Sequence, residues 1–114
     1  MGVSQLELEK NRIKYKEKFA TVLPDLEKAF GHIREEVYKE GALSLKMKRL
    51  MSLSVALRAE CQNCITAQTS LALEAGATVE EILETCAVVV SMSGTTGIAE
   101  TLKVIQLLDE MGKL

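Results

Sequence analysis

Two cysteines three positions apart are the residues of this sequence best suited to chemistry. Cys61 and Cys64 enclose Gln62 and Asn63 in a Cys-x-x-Cys motif. Residues at this spacing lie on one face of a helix, close enough for two thiols to interconvert with a disulfide. If a helix begins near Cys61, its free N–H groups stabilise a thiolate, the nucleophilic form of cysteine. The spacing therefore predicts redox chemistry, with both cysteines as the catalytic candidates.

Neighbouring side chains add charge and polarity to this pair. Arg58, one turn before the motif, favours a thiolate, whereas the adjacent Glu60 opposes it. Gln68 follows Cys64 by one helical turn and falls on the stripe that runs through both cysteines. A primary amide on an inward-facing row needs hydrogen-bond partners, which a thiol or a polar pocket would supply. We therefore expect Arg58, Glu60 and Gln68 to form part of the pocket around the cysteines.

Two other interpretations of the pair remain open at this point. Both cysteines can be small core residues, because cysteine is among the most buried residue types. A closed zinc site needs four ligands, and beyond the pair the chain offers only Cys86 and His32. Cys86 falls on an apolar helical row, which indicates packing, and His32 has charged neighbours typical of a surface position. The sequence thus predicts neither a metal nor a cofactor.

Composition restricts the class of protein. With 114 residues, the chain is expected to form one domain, and 47% hydrophobic but 4% aromatic residues favour packed helices over a β-sandwich. The net charge of −2 argues against a nucleic-acid partner. The acidic start lacks an apolar targeting stretch, and the longest apolar run, Cys86–Val90, is too short to span a membrane. An odd number of cysteines favours a reducing compartment, so we expect a cytoplasmic protein.

The hydrophobic pattern predicts three helices in the first half of the chain. A charged helix from Ser4 to Leu23, with a weak apolar stripe at Leu8, Tyr15, Phe19 and Val22, forms a peripheral segment over residues 1–23. Pro24 begins a second helix, ended by Gly41, with an apolar row at Leu26, Phe30, Ile33 and Val37. A third begins at Leu45 and is apolar nearly all round over residues 50–57, which predicts a central, fully buried helix. No Gly or Pro follows it before Gly76, so one long helix through Ala75 remains possible.

The second half of the chain contains clearer helix boundaries. Thr78 and Glu81 have capping-box spacing, and the helix they begin aligns Ile82, Cys86, Val89 and Val90. The segment Ser93–Gly97 breaks the pattern, and a last helix aligns Ile98, Leu102, Ile105, Leu108 and Met111. We therefore expect an all-α bundle of five or six helices, with a core over residues 24–111.

Several motifs occur together between Gly41 and Leu108. They are Gly41–Lys46, the apolar segment 50–57, the Cys61–Cys64 motif, and Ala72–Thr78 followed by Glu80, Glu81 and Ile82. In this combination the chain resembles the carboxymuconolactone decarboxylase-like family, in particular its alkyl hydroperoxidase D-like branch. The resemblance implies an all-helical fold that assembles as trimers or hexamers, with the cysteines at a helix start near a subunit interface.

The resemblance also implies an activity. In this branch the dithiol cycles through a disulfide, either reducing a peroxide or re-reducing a peroxidase partner with electrons from a thiol reductant. The family carries a relay Glu at the position of Arg49 and a relay His at the position of Gln68. Neither residue found here acts as a base near neutral pH, because Arg stays charged and an amide does not titrate. The hypothesis is a thiol–disulfide oxidoreductase activated by the helix N-terminus, Arg58 and Arg49, and slower towards peroxides than relay-bearing relatives.

A second hypothesis belongs to another functional class. A non-catalytic oligomeric protein would use Cys61 and Cys64 as a structural or redox-sensing pair. Lactone decarboxylation is a third, disfavoured interpretation, because relatives with that activity do not depend on a Cys-x-x-Cys motif and their acid–base residues have no visible counterpart here.

Overall fold

The computed structural model describes residues 2–114 as six α-helices. They are α1 (Gln5–Val22), α2 (Pro24–Val37), α3 (Leu45–Arg58), α4 (Gln62–Glu74), α5 (Val79–Ser93) and α6 (Thr95–Glu110). The described part of the chain contains no strand. The prediction of an all-α bundle is therefore confirmed.

The core forms where α3, α4, α5 and α6 meet. Its buried apolar side chains come from all four helices and include Leu53, Leu57, Ile65, Ile82, Val104 and Leu108. Their burial supplies the main free energy that holds the bundle together, since each large aliphatic side chain contributes about 1.5–3 kcal/mol when removed from water. The capping box at Thr78 and Glu81 forms as predicted and fixes the start of α5.

The prediction that α3 is buried all round is wrong. Leu50, Leu53 and Leu57 are buried, whereas Met51 and Val55 are 50% and 69% exposed. The reason is that α4, α5 and α6 all pack against one side of α3 and leave its opposite side open. An apolar sequence on both faces of a helix therefore does not mean that both faces are covered within one chain.

The apolar row of α2 is exposed as well. Leu26, Phe30, Ile33 and Val37 each expose between 45% and 52% of their surface, and no residue of α2 is buried. Within the described residues this helix packs closely only against α1. The row is present as the sequence indicates, but no other part of residues 2–114 covers it.

The buried face of α6 coincides only in part with the predicted one. Leu108 is buried as predicted, but Ile98, Leu102 and Ile105 expose between 37% and 58% of their surface. The helix buries Gly97, Val104 and Leu107 in their place. Gly97 is compatible with this orientation, because a Cβ atom there would lie only 3.0 Å from the Cα atom of Val90. The missing side chain lets the backbone of α6 approach α5, which turns the face that contains Gly97 inwards. The break between the helices is confined to Gly94, which has φ of 62°.

The weak apolar stripe of α1 is only partly covered, since Leu8 and Phe19 are half-buried, and polar residues also contribute to the packing of this helix. Tyr15 and Val22 are more than half exposed, whereas Gln5 and Glu9 are buried. Glu9 accepts two hydrogen bonds from Arg12, at 2.7 and 2.8 Å, and this contact raises the pKa of the Arg12 guanidinium. The amide oxygen of Gln5 accepts a hydrogen bond of 2.6 Å from Gln62. This last contact connects α1 to the first residue of α4.

Candidate redox site

The chain breaks between α3 and α4 immediately before the cysteine motif. Glu60 adopts a left-handed backbone conformation with φ of 55°, and the N–H of Cys61 donates to the carbonyl oxygen of Ala56 at 3.2 Å. These features reverse the chain, and α4 begins at Gln62. The alternative of one long helix through Ala75 is therefore wrong. The expectation that a helix begins near Cys61 is confirmed.

Cys61 occupies the N-cap position of α4. Its Sγ accepts a hydrogen bond from the backbone N–H of Cys64 at 3.3 Å, as a hydroxyl does at an ordinary N-cap. The structure joins Cys61 and Cys64 in a disulfide, with Cα atoms 5.2 Å apart. Cys61 is half-buried and Cys64 is exposed. A thiolate at Cys61 would be stabilised both by this N–H group and by the positive end of the helix dipole.

The two cysteines lie at one end of an open pocket of about 470 Å³. Its wall is mainly apolar, since Val37, Met51, Val55, Ala56 and Ala59 contribute to it. Polar contributions come from Tyr38, Lys48, Ser52 and Gln68. The pocket therefore combines an apolar surface with a small number of polar groups, as binding sites for small molecules commonly do.

A chain of polar contacts connects three residues that line this pocket with Arg49. The amide oxygen of Gln68 accepts a hydrogen bond of 3.3 Å from the Arg49 guanidinium. The guanidinium carbon of Arg49 lies 3.6 Å from the ring centroid of Tyr38. The Tyr38 hydroxyl in turn forms a hydrogen bond of 2.6 Å with the Ser52 hydroxyl. The structure thus brings Arg49 and Gln68 together and places Gln68 beside the cysteines.

Arg58 and Glu60, which the sequence predicted beside the cysteines, do not line the pocket, and His32 lies at the surface as predicted. Arg58 is exposed and lines a neighbouring groove with Val88 and Met92. Glu60 is exposed in the connection between α3 and α4. His32, the one histidine of the sequence, is exposed on α2.

Cys86 has a different environment from the other two cysteines. It is 1% exposed within the core and carries a free thiol. Burial raises the pKa of Cys86. The interpretation of Cys86 as a packing residue is confirmed, because its thiol is inaccessible and is held in the protonated form.

Tyr38, Ser52 and Lys48 are pocket residues that the sequence reasoning did not identify. They are separated from Cys61 by at least nine positions, and their spacing gives no signal of a shared site. The Lys48 ammonium donates to the carbonyl oxygens of Val37 and Lys39 and so holds the end of α2 against α3. The one feature that distinguishes Tyr38 is its position as the C-cap residue of α2, directly after the last residue of the apolar row.

Residues 2–114 contain neither a group of metal ligands nor a helix that could span a membrane. No cluster of three or more His, Cys, Asp or Glu side chains there is arranged to hold a metal ion. No helix in this range is both long and apolar enough to cross a membrane.

Comparison with known proteins gives the family. Residues 24–107 match the model of the carboxymuconolactone decarboxylase family, which covers most of the chain. The chain belongs to this family. Two uncharacterized proteins are similar in sequence: protein 4 of the cox locus of Paracoccus denitrificans, 31% identical over 75% of this chain and 78% of its own length, and a Cupriavidus necator protein, 28% identical over 73% and 74%.

Solved structures share the fold. A carboxymuconolactone decarboxylase family protein from Legionella pneumophila, solved in its apo form, superposes with a TM-score of 0.85 at 26% identity, over 93% of this chain and 95% of its own. A Thermotoga maritima protein superposes with a TM-score of 0.78 at 26% identity, over 91% of each chain. The six-helix arrangement described above is therefore that of the family.

Proposed function

We propose that this protein is a thiol–disulfide oxidoreductase of the alkyl hydroperoxidase D-like branch, which reduces a peroxide or a disulfide. The observation that carries the proposal is the position of Cys61 and Cys64, paired at the N-terminus of α4 and open to the apolar pocket. A disulfide buried for stability would not need such access. A helix N-terminus also favours the reduced thiolate and thus makes the pair easier to reduce and more reactive.

The proposed reaction with a peroxide proceeds in two steps. One thiolate attacks an oxygen of the substrate, the O–O bond breaks, and the products are a cysteine sulfenic acid and an alcohol or water after protonation. The second thiolate then attacks the sulfenic sulfur, forms the disulfide and releases hydroxide, which takes up a proton as water. An external thiol reductant, or a dithiol partner protein, returns two electrons and two protons to the pair. A reducing compartment such as the cytoplasm suits this cycle.

The proton chemistry in this protein differs from a Glu–His relay. Arg49 is a cation and Gln68 is an amide, and neither accepts a proton from a thiol near neutral pH. Activation then rests on fixed dipoles and charges, namely the α4 N-terminus and the guanidinium of Arg49. A slower reaction with peroxides than that of relay-bearing proteins follows from this difference.

Single substitutions of the cysteines test the proposal. We expect Cys61→Ser and Cys64→Ser each to lower peroxide turnover, coupled to a dithiol reductant, at least about 100-fold, because no disulfide can form within the chain. Cys86→Ala is the matched control and should keep most of the activity, since Cys86 lies in the core. Equal activity of the wild-type protein and both serine variants would refute the proposal.

A second candidate is a non-catalytic oligomeric protein with a redox-sensing pair. The absence of a proton acceptor at Arg49 and Gln68 is the observation in its favour. It predicts that the reduced cysteines react with alkylating reagents as slowly as a free thiol, and that the protein turns over neither peroxides nor disulfides. Rapid alkylation at neutral pH would favour the enzyme instead.

We also propose that the protein is a homo-oligomer, a trimer or a hexamer. The apolar row of α2 supports this assembly, because four large side chains in that row are about half exposed. A monomer in water rarely leaves a contiguous apolar strip of this kind uncovered. The exposed Met51 and Val55 on α3 offer a second surface of the same character.

A further inference from the structure

Gln68 is the polar residue of the pocket whose role the proposed reaction leaves open. It is half-buried on α4 and lines the pocket together with Cys61 and Cys64. Its Oε1 atom accepts a hydrogen bond of 3.3 Å from the Arg49 guanidinium. Its Nε2 group donates to no protein atom within residues 2–114. A half-buried amide with one end occupied and the other end free is suited to bind a further acceptor.

The chemistry of arginine determines the orientation of this amide. A guanidinium only donates hydrogen bonds, so the amide group must turn its oxygen towards Arg49. The NH₂ group is then the end that remains for the pocket. A rotation of the amide by half a turn would set two donors against each other and lose the hydrogen bond. Arg49 therefore selects one of the two orientations of Gln68.

Arg49 is itself held in place. Its guanidinium stacks on the ring of Tyr38, and Tyr38 is fixed through its hydroxyl to Ser52. No carboxylate of the described residues lies within ion-pair distance of Arg49. Its charge is therefore not neutralised by a neighbour, and its position depends on the aromatic ring and on Gln68.

We propose that Gln68 is a fixed hydrogen-bond donor for the Cys64 thiolate, with Arg49 and Tyr38 as its positioning residues. Cys64 and Gln68 are four residues apart on α4, the spacing at which helical side chains meet. An anionic sulfur is an acceptor that the free NH₂ group can serve. The two thiolates then have separate donors: the backbone N–H for Cys61 and the Gln68 side chain for Cys64. This inference rests on the proposed function, in which the pair passes through its reduced form.

The donor acts without moving a proton. Because an amide does not titrate, it stabilises the thiolate equally across the pH range in which the thiol itself ionises. The charged and titratable groups around it are the Cys61 thiol at the start of α4, Lys48 and Arg49 on α3, and Tyr38 at the end of α2. Arg58 and Glu60 lie in or beside the connection to α4. We expect the alkylation rate of Cys64 to rise with pH, and the first midpoint of this rise to lie below that of an unperturbed thiol, because Cys61 and Cys64 titrate as a coupled pair.

The test is the pH profile of iodoacetamide alkylation of the reduced full-length protein, resolved for Cys64 by mass spectrometry. Gln68→Met keeps a side chain of similar length without a donor. In Gln68→Met we expect alkylation of Cys64 to be about tenfold slower at pH values below the midpoint of the profile, because the thiolate has lost a hydrogen bond. Gln68→Glu should slow it further, because the carboxylate offers only acceptors and adds negative charge beside the sulfur.

Further variants separate the donor from a general structural effect. Arg49→Met removes the hydrogen bond to Gln68 Oε1 and should slow the alkylation of Cys64 in part. Arg49→Lys keeps a donor to Oε1, so its alkylation rate should lie closer to that of the wild-type protein. Gln106→Met is the matched control, because Gln106 lies on α6 and contacts Val3 and Glu110. An unchanged Cys64 profile in both Gln68→Met and Gln68→Glu would overturn the inference.

The outcome is independent of whether the protein turns over a peroxide. Alkylation needs only the reduced thiols, so the proposed activity can fail in the cysteine variants while the Gln68 effect is still observed. Conversely, loss of turnover in Cys61→Ser and Cys64→Ser together with an unchanged Gln68→Met profile would refute the donor role alone.

Discussion

At the scale of single residues, the environment of each cysteine determines its chemistry. Cys61 and Cys64 lie at a helix N-terminus with access to a pocket, whereas Cys86 is enclosed by the core. The same side chain is thus presented as a reactive pair in one place and as a small apolar residue in another. The sequence already indicated this division, because the motif spacing and the apolar row around Cys86 are both visible in it.

The buried thiol makes a prediction about stability. The pKa of Cys86 is raised above its ordinary value of 9.0 in the folded state, so the unfolded chain loses this proton at a lower pH than the folded one. The contribution of the protonated Cys86 thiol to the free energy of unfolding is therefore complete below about pH 9 and is lost as pH rises from there towards the folded-state pKa. In Cys86→Ala this fall should be smaller, although the cavity lowers the free energy of unfolding near neutral pH by about 1 kcal/mol.

Urea unfolding of the disulfide form, from about pH 7 to pH 10, measures this effect, because Cys61 and Cys64 do not titrate in that form. The wild-type protein and Cys86→Ala should converge in stability as the pH rises. Parallel curves for the two proteins across the alkaline range would contradict the assignment.

At the scale of helices, backbone geometry decides which faces meet. The break at Glu60 converts a continuous apolar sequence into two helices and places Cys61 at a helix start. The close contact at Gly97 lies on the buried face of α6. Both effects arise from packing between elements, and the period of the apolar residues does not specify them.

Two glycines within helices provide a matched pair of substitutions with opposite expected signs. Gly97→Ala would place a Cβ atom 3.0 Å from the Val90 Cα atom and 3.1 Å from the Val89 carbonyl oxygen. Overpacking against backbone should lower the free energy of unfolding by about 1–3 kcal/mol. Gly31→Ala on α2 meets no atom within 4 Å and should raise it by up to about 1 kcal/mol, because Ala favours the helix. Chemical denaturation of both variants measures the difference, and equal effects would refute the proposed close approach of α5 and α6.

At the scale of the whole molecule, the unpartnered surface of α2 is the main feature that a single chain leaves unexplained. This helix contributes no buried residue, although its apolar row is regular. Proline at its first position and acidic residues in its first turn show that the helix is well specified locally. The proposed oligomer would cover this apolar side with a second copy of the chain.

Charge introduced on this surface should dissociate the oligomer. We expect the wild-type protein to show a mass in solution of three or six times its 12.5 kDa chain, and Ile33→Asp to shift it to smaller species. A buried carboxylate without a partner is costly, so one substitution in each copy suffices. Lys28→Asp, an exposed position on the opposite face of α2, is the control. Light scattering after size exclusion measures the masses, and a monomeric wild-type protein would contradict the assembly.

The sequence by itself determined the helical class, the capping box of α5 and the cysteine motif. These features follow from local chemistry: turn spacing, side-chain hydrogen bonds to a helix end, and the reactivity of paired thiols. Tertiary structure decided which apolar faces are covered, where the chain reverses before Cys61, and that Tyr38, Arg49 and Gln68 form one chain of contacts beside the motif. Those outcomes depend on the approach of α3 to α4 and of α5 to α6. The physical reason is that packing brings together residues distant in sequence, and their spacing along the chain carries no record of that contact.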